Sequence, residues 1–340
     1  MNNTDPRYTP FNLVTDMLAT PAFVRSFDPA VAAKIGASVA QTGKLHFTGE
    51  GSSRLFPTKH AIKVIHQRGT ALQVHTEAGK QSQSYRLQDW SVIGLSNSGR
   101  TAEVIQLFKS LKEAGHTNLS SITAFANSTL ESFANQGIVL GCGAEGAVAA
   151  TKSVIEQALC CQAAVEAATG QNNLKGRLNQ VADAMQAALT APIAKDITDA
   201  LVNAPVISWA GPNDGVAEEL TLKTNEITRK RSDYFEGTYA AHGVEEVMTD
   251  KDVVIWVDPI ADQEEKFEKV LVHGAGVKVI AISTRPTRFP TILVQDCGDL
   301  TGFAYMAAGW NLLVEAGTAL SINVDKPQRA RKVGNEFVGG

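Results

Sequence analysis

The stretch "WSVIGLSNSGRTAEVIQLFKSLKEAG", Trp90 to Gly115, decides the fold. A short apolar run, Val92–Leu95, gives way to Ser96, Asn97, Ser98, Gly99, Arg100 and Thr101. From Ala102 onward, apolar residues recur three and four apart. The continuous run predicts a strand buried on both faces, and the spacing after it predicts an amphipathic helix. A strand feeding a helix through a small polar turn is half of a parallel βαβ unit.

The same grammar extends in both directions. "KLHFTG" (44–49), "ALQVHTE" (71–77), "SSITAFAN" (120–127) and "GIVLGCG" (137–143) complete a set of five strands. Helical patterns "LFPTKHAIKVIHQ" and "TKSVIEQALCCQAAVEAAT" accompany them. The pattern then restarts: "APVISWAGPNDG" (204–215) matches the opening strand and turn, "KDVVIWVDP" matches "WSVIGLSNS", and "VKVIAIST" matches "LSSITAFAN". This approximate repeat predicts two tandem doubly wound, flavodoxin-like α/β domains with parallel sheets flanked by helices. The expected boundaries are an N-terminal helical segment (1–35), a first domain (36–192), a second (193–322) and a tail (323–340). Asp258-Pro259-Ile260 stands where the first copy has Ser96-Asn97-Ser98, so the architecture is repeated and the chemistry is not.

Bulk properties exclude several classes. The 340 residues are 44% apolar and 19% charged with a net charge of −4, and no basic block suggests a nucleic-acid or membrane-surface partner. The four cysteines, Cys142, Cys160, Cys161 and Cys297, show no C-x-x-C spacing and read as reduced core thiols. Glu156, Glu166 and Glu315 interrupt the best candidates for a membrane span, and "MNNTDPRYTPFNLV" lacks the layout of a signal peptide. The chain is expected in the cytoplasm, with no metal and no cofactor.

In an open parallel sheet, ligands bind beyond the carboxyl ends of the strands. Ser96, Ser98 and Thr101 sit at such an end and open a helix, whose free N–H groups favour an anion. Gly51, Ser52 and Ser53 form a second small turn after the first strand. Hydroxyls at this position also cap helices, so the residues alone leave capping and anion binding both open. A sugar phosphate fits better than a dinucleotide, because "GEGSSR" lacks the G-x-G-x-x-G spacing. In the second half, Glu219, Lys223 and Glu226 share one helical face, which by itself reads as a solvated charge stripe.

"LSNSGRT" resembles the phosphate signature of the sugar isomerase (SIS) family. The two-copy layout resembles the isomerase half of the glutamine–fructose-6-phosphate aminotransferases (glucosamine-6-phosphate synthases) over roughly residues 30–335. "AEGAVAATKS" (144–153) is similar to the family's E-x-x-V-A-S-T-K stretch, with Ala150 where the synthase has serine. The resemblance implies phosphate binding by Ser53, Ser96, Asn97, Ser98 and Thr101, and substrate contacts from Gly51, Ser52, Glu145, Val148 and Lys223. It implies Glu226 as the base that moves a proton between sugar carbons 1 and 2. His242, sixteen residues on, becomes the ring-opening group. In the synthase that histidine comes from the neighbouring subunit, so a homodimer is implied. The tail "SINVDKPQRARKVGNEFVGG" is similar to the synthase's terminal segment at Asn323, Asp325, Pro327 and Lys332, which makes Lys332 a Schiff-base candidate, activated by Arg329 and Arg331. Departures are Val244 for the usual proline and a more basic segment after Glu226, in which Arg229, Lys230 and Arg231 are read as facing solvent. Cys142 is the first cysteine, so no glutaminase chemistry is expected.

The chemistry asks for the same set. Aldose–ketose exchange needs one carboxylate able to take and return a proton, and ring opening needs a group that titrates near neutrality. The expected activity is isomerisation of a hexose phosphate, or deamination and isomerisation of an amino-sugar phosphate. The alternatives are a fructosamine-6-phosphate deglycase, an isomerase of a sulfonated sugar, and a sugar-phosphate-binding regulatory module without turnover.

Overall fold

The computed structural model describes residues 1–338. Ten strands form two five-stranded sheets, all of whose pairings are parallel. The first holds β1 (Lys44–Gly49), β2 (Gln73–Ala78), β3 (Ser91–Leu95), β4 (Leu119–Thr123) and β5 (Gln136–Val139) in the order β2-β1-β3-β4-β5. The second holds β6 (Ile207–Gly211), β7 (Tyr234–Glu236), β8 (Val253–Val257), β9 (Lys278–Ser283) and β10 (Thr291–Leu293). Its order, β10-β9-β8-β6-β7, is the first order read from the other edge. The repeat seen in the sequence is thus a repeat of topology.

Strands β3, β4, β6 and β8 are buried along their whole length, as parallel strands covered on both faces must be. In the first sheet's core, Val104, Ile105, Leu107, Phe108 and Leu111 of the helix Ala102–Glu113 pack with Val92 and Leu119. Gly94 is required there, since a Cβ at that position would lie 2.6 Å from the Phe108 ring. In the second, Trp256 of β8 stacks on Phe267 with ring centroids 3.6 Å apart. The segment after β8 runs helical over Glu264–Phe267 and widens into a π-helix over Glu268–Gly274.

The chain divides into two compact units, neither a single run of sequence. The unit of the first sheet comprises 22–145, 150–179 and 331–338; that of the second comprises 1–21, 146–149 and 180–330. The first residues and the start of the tail, 323–330, therefore go with the second sheet. Asp325 shows why: its carboxylate accepts from the Asn12 and Leu13 N–H groups at 2.9 and 2.8 Å and caps the helix Asn12–Ser26. Among the described residues no helix is long and apolar enough to cross a membrane, and no cluster of three or more His, Cys, Asp or Glu could hold a metal ion.

Candidate functional site

In the first-sheet unit, β3 ends in the expected hydroxyl turn. Ser96 is buried, and its hydroxyl lies 2.8 Å from that of Thr101. Thr101 occupies the N-cap position of the helix Ala102–Glu113 but makes no side-chain capping bond. The Thr101 hydroxyl therefore bonds Ser96 and does not cap the helix. Ser98 Oγ accepts from Arg100 N–H at 3.1 Å, which tightens the turn. Gly99 has φ +65°, and a Cβ there would come within 2.3 Å of Ser128 Cβ, so both backbone and space demand glycine. The Asn97 side-chain oxygen is buried without a hydrogen-bond partner, an orphan of the kind a ligand or water satisfies.

The second turn contributes Gly51, Ser52 and Ser53 directly after β1. Gln157, fully buried on the helix Lys152–Ala168, reaches Ser53 Oγ at 3.4 Å. Sequence reasoning missed Gln157; its signal was a glutamine on the otherwise apolar face of that helix.

Glu145 belongs to the same unit. Its buried carboxylate accepts from Thr151 N–H at 2.7 Å, Ser153 N–H at 3.2 Å, Ser153 Oγ at 2.8 Å and the Lys332 ammonium at 2.9 Å. Burial alone would raise the carboxyl, but Lys332 and the two backbone amides hold it below the usual carboxylate range. Lys332 thus bonds an acid, where the sequence suggested activation by arginines. The tail residues that carry Lys332 continue along the hydroxyl turn. Asn335 C=O accepts from Ala102 N–H at 3.1 Å, and Phe337 N–H donates to Arg100 C=O at 2.9 Å. No periodicity in the tail announced this pairing.

The Glu145 geometry sets a pH prediction. A carboxyl depressed in the fold relative to its unfolded value of about 4.3 contributes stability that is present above that pH and fades as pH falls through the folded value. Urea unfolding below about pH 4.3 should therefore show a steeper loss of stability for the wild type than for Glu145→Gln.

The second-sheet unit holds the acid–base candidates. On the helix Val216–Thr228, Lys223 Nζ lies 2.7 Å from Glu226 Oε2 and 3.2 Å from Glu219 Oε1. The stripe is not solvated: the Lys223 and Glu219 side chains are 0% exposed and that of Glu226 is 17% exposed. Burial would lower the Lys223 ammonium, yet the two carboxylates raise it above its ordinary value. Lys223 is thus held between Glu219 and Glu226 with its side chain buried. This face is buried because the helix packs closely on Gly302–Ala319, where a Cβ on Gly309 would meet Leu220 at 2.4 Å.

His242 is exposed, beside Gly243 at φ +101°. Its Nε2 lies 2.9 Å from Lys266 Nζ and 3.3 Å from Thr238 Oγ1. Val148 donates its N–H to Asp325 C=O at 2.9 Å. The reading of the basic segment as solvent-facing holds for Arg231, whose side chain is 75% exposed. It fails for Arg229, which bonds Glu226 C=O and Asn323 C=O, and for Lys230, which bonds Ala204 C=O at 2.7 Å.

The structure thus gathers Ser53, Ser96, Asn97, Ser98, Thr101, Glu145 and Lys332 in one unit, and Glu219, Lys223, Glu226, His242 and Val148 in the other. Thr101→Val tests the cradle. It should cost about 1 kcal/mol of stability, because the buried Ser96 hydroxyl loses its partner, while weakening sugar-phosphate affinity by about tenfold, the worth of one hydrogen bond to a charged group. Unchanged affinity would remove Thr101 from the cradle.

Residues 38–167 match the SIS domain family. The glutamine–fructose-6-phosphate aminotransferase (isomerizing) of Lactiplantibacillus plantarum is 25% identical over 258 residues, which are 71% of this chain and 42% of that protein. The chain thus spans less than half of that relative's length. Among solved structures, the C-terminal domain of glucosamine-fructose-6-phosphate aminotransferase from Francisella tularensis superposes with a TM-score of 0.78 at 14% identity, covering 93% of this chain and 98% of that one. Tagatose-6-phosphate ketose/aldose isomerase from Escherichia coli gives a TM-score of 0.77 at 17% identity, covering 97% and 100%. At these identities the structural likeness is one of fold.

Proposed function

Because the chain carries a SIS domain over residues 38–167, we propose that it is a phosphosugar aldose–ketose isomerase. The observation that carries this reading is the Ser96–Thr101 hydroxyl pair at the end of β3, which is not consumed in capping the helix it opens. In the proposed reaction, the hydroxyls of Ser53, Ser96, Ser98 and Thr101 and the backbone at Asn97 hold the phosphate. Gly51 and Ser52 shape the turn that brings Ser53 to it. Hydroxyl donors suit a tetrahedral oxyanion because each rotates to its own oxygen. Binding energy from this remote group then positions the reacting carbons.

Glu226 is the member of the buried trio with solvent access, and we assign it the proton transfer. It takes a proton from carbon 1 of the open ketose and returns it to carbon 2 through an enediol. His242 opens the ring. Lys332, whose Nζ lies 2.9 Å from Glu145, is the Schiff-base candidate for the open ketose. Val148 lies at the sugar end through its backbone.

The assay that tests this is conversion of fructose 6-phosphate to glucose 6-phosphate, run beside glucosamine 6-phosphate with ammonia detection. Conversion of the first supports the isomerase. Ammonia release from the second extends it to a deaminase. Binding of both without turnover would favour a regulatory module.

We further propose a homodimer in which His242 serves the active site of a second copy; its exposure on its own unit is consistent with such a role. Mixing inactive Glu226→Gln and His242→Asn proteins should then restore roughly a quarter of wild-type activity, the statistical share of one intact site in half of the dimers. No recovery after subunit exchange would place both groups in one chain.

A further inference from the structure

Gln157 lies on the helix Lys152–Ala168, in which every residue from Ser153 to Glu166 is buried. Its own side chain is fully enclosed, and Val154, Cys160 and Cys161 stand three and four positions away along the helix. An amide in such surroundings gives up water at both of its ends. Its Nε2 donates to Ser53 Oγ at 3.4 Å, while its Oε1 is buried without a hydrogen-bond partner. The position therefore carries a desolvation cost that an apolar residue would not incur.

The buried acids of the same helix are spent on the fold. Glu156 accepts from the Gly141 and Cys142 N–H groups at 2.7 and 2.8 Å. Glu166 pairs with Arg68 at 2.7 Å and accepts from the Asn173 and Leu174 N–H groups. Gln157 closes no loop and no helix end; its bond runs to the turn Gly51–Ser53 at the end of β1. For Ser53 that bond has a consequence. A hydroxyl has one proton and rotates among staggered positions. With Gln157 donating to Oγ, the proton of Ser53 points elsewhere, and among the described residues no acceptor takes it.

We propose that Gln157 is a positioning residue for the phosphate turn: by donating to Ser53 Oγ it holds that hydroxyl with its proton free for an oxyanion. The inference rests on the proposed function, in which Ser53 binds the phosphate. The helix suits the task because it packs on the helix Leu55–Gln67, which follows the turn directly. Amide and hydroxyl are thus carried by adjacent elements of one unit. The turn has no side-chain capping bond of its own to fix it. A donor ordered in advance removes the cost of ordering it when the anion arrives. Replacing the amide with an apolar side chain should therefore favour the fold and disfavour the ligand.

Gln157→Met keeps the length of the side chain and removes the donor. Calorimetric titration of the full chain with glucitol 6-phosphate, a hexitol phosphate with no carbonyl to react, reads binding alone. The substitution should weaken that binding about fivefold, the worth of one hydrogen bond, and raise the KM of fructose 6-phosphate alike. Its denaturant midpoint should be unchanged or higher, because a buried unpaired oxygen is gone. In a Ser53→Ala background the same substitution should change affinity by less than about twofold, since the coupling needs both side chains. Gln157→Leu repeats the cycle should the methionine variant fold poorly. Equal weakening with and without the Ser53 hydroxyl would overturn the inference and make Gln157 a packing residue. Unchanged affinity in Gln157→Met, with weaker binding in Ser53→Ala, would also overturn it and leave the phosphate turn standing. Unchanged affinity in both Ser53→Ala and Thr101→Val would remove the phosphate turn and this inference together.

Discussion

Glu226→Gln lowers turnover of fructose 6-phosphate by about 10²–10⁴-fold, the usual contribution of a positioned general base, and leaves KM within about twofold. The argument starts from the helix Val216–Thr228. Glu219 and Lys223 are buried at 0% exposure. Glu226 opens on a cavity and is held in place by Lys223 at 2.7 Å. Glutamine keeps the side chain's length and an oxygen for the lysine to donate to, so the geometry survives and the basicity does not. KM is spared because the proposed phosphate contacts lie elsewhere in the chain. A rise in KM with unchanged kcat would instead make Glu226 a binding group.

Lys223→Met destabilises the protein by about 3–5 kcal/mol, the cost of breaking a buried ion pair from one side. The substitution removes the ammonium from between two carboxylates on a helix packed into the core. The effect should be flat across neutral pH. The Lys223 ammonium is raised in the fold, so its contribution is fully present below the unfolded lysine value of about 10.4 and is lost only as pH climbs through the higher folded value. Adding Glu219→Gln should recover part of the loss in a double-mutant cycle, because one buried charge then goes with its partner. Denaturant melts of the two variants measure both numbers. A loss under about 1 kcal/mol would mean that the trio is hydrated, as surface pairs are.

These two predictions also mark where sequence reasoning stopped. Strands β1 and β3 were legible because parallel strands covered on both sides must be written as apolar runs. The same holds for β8 and β9. Strands β7 and β10 were not, since three residues at a sheet edge carry no periodic signal. The hydroxyl turn was legible because strand, turn and helix are contiguous. The partner of the Thr101 hydroxyl was not, since it depends on where that side chain points. The charged trio misled for a related reason: i, i+4, i+7 spacing places side chains on one face, and only packing says which way that face looks. The tail's pairing at Ala102 and the Lys332–Glu145 contact span more than 180 residues, beyond any local pattern.

The central claim is that this chain moves a proton between adjacent carbons of a phosphosugar by way of Glu226. Proton NMR of fructose 6-phosphate with the purified protein in deuterated water measures that event directly. The account predicts deuterium entering carbon 1 of the ketose and carbon 2 of the aldose with wild type, and none above background with Glu226→Gln. Isomerisation without any solvent deuterium, or exchange at the wild-type rate in Glu226→Gln, would contradict it.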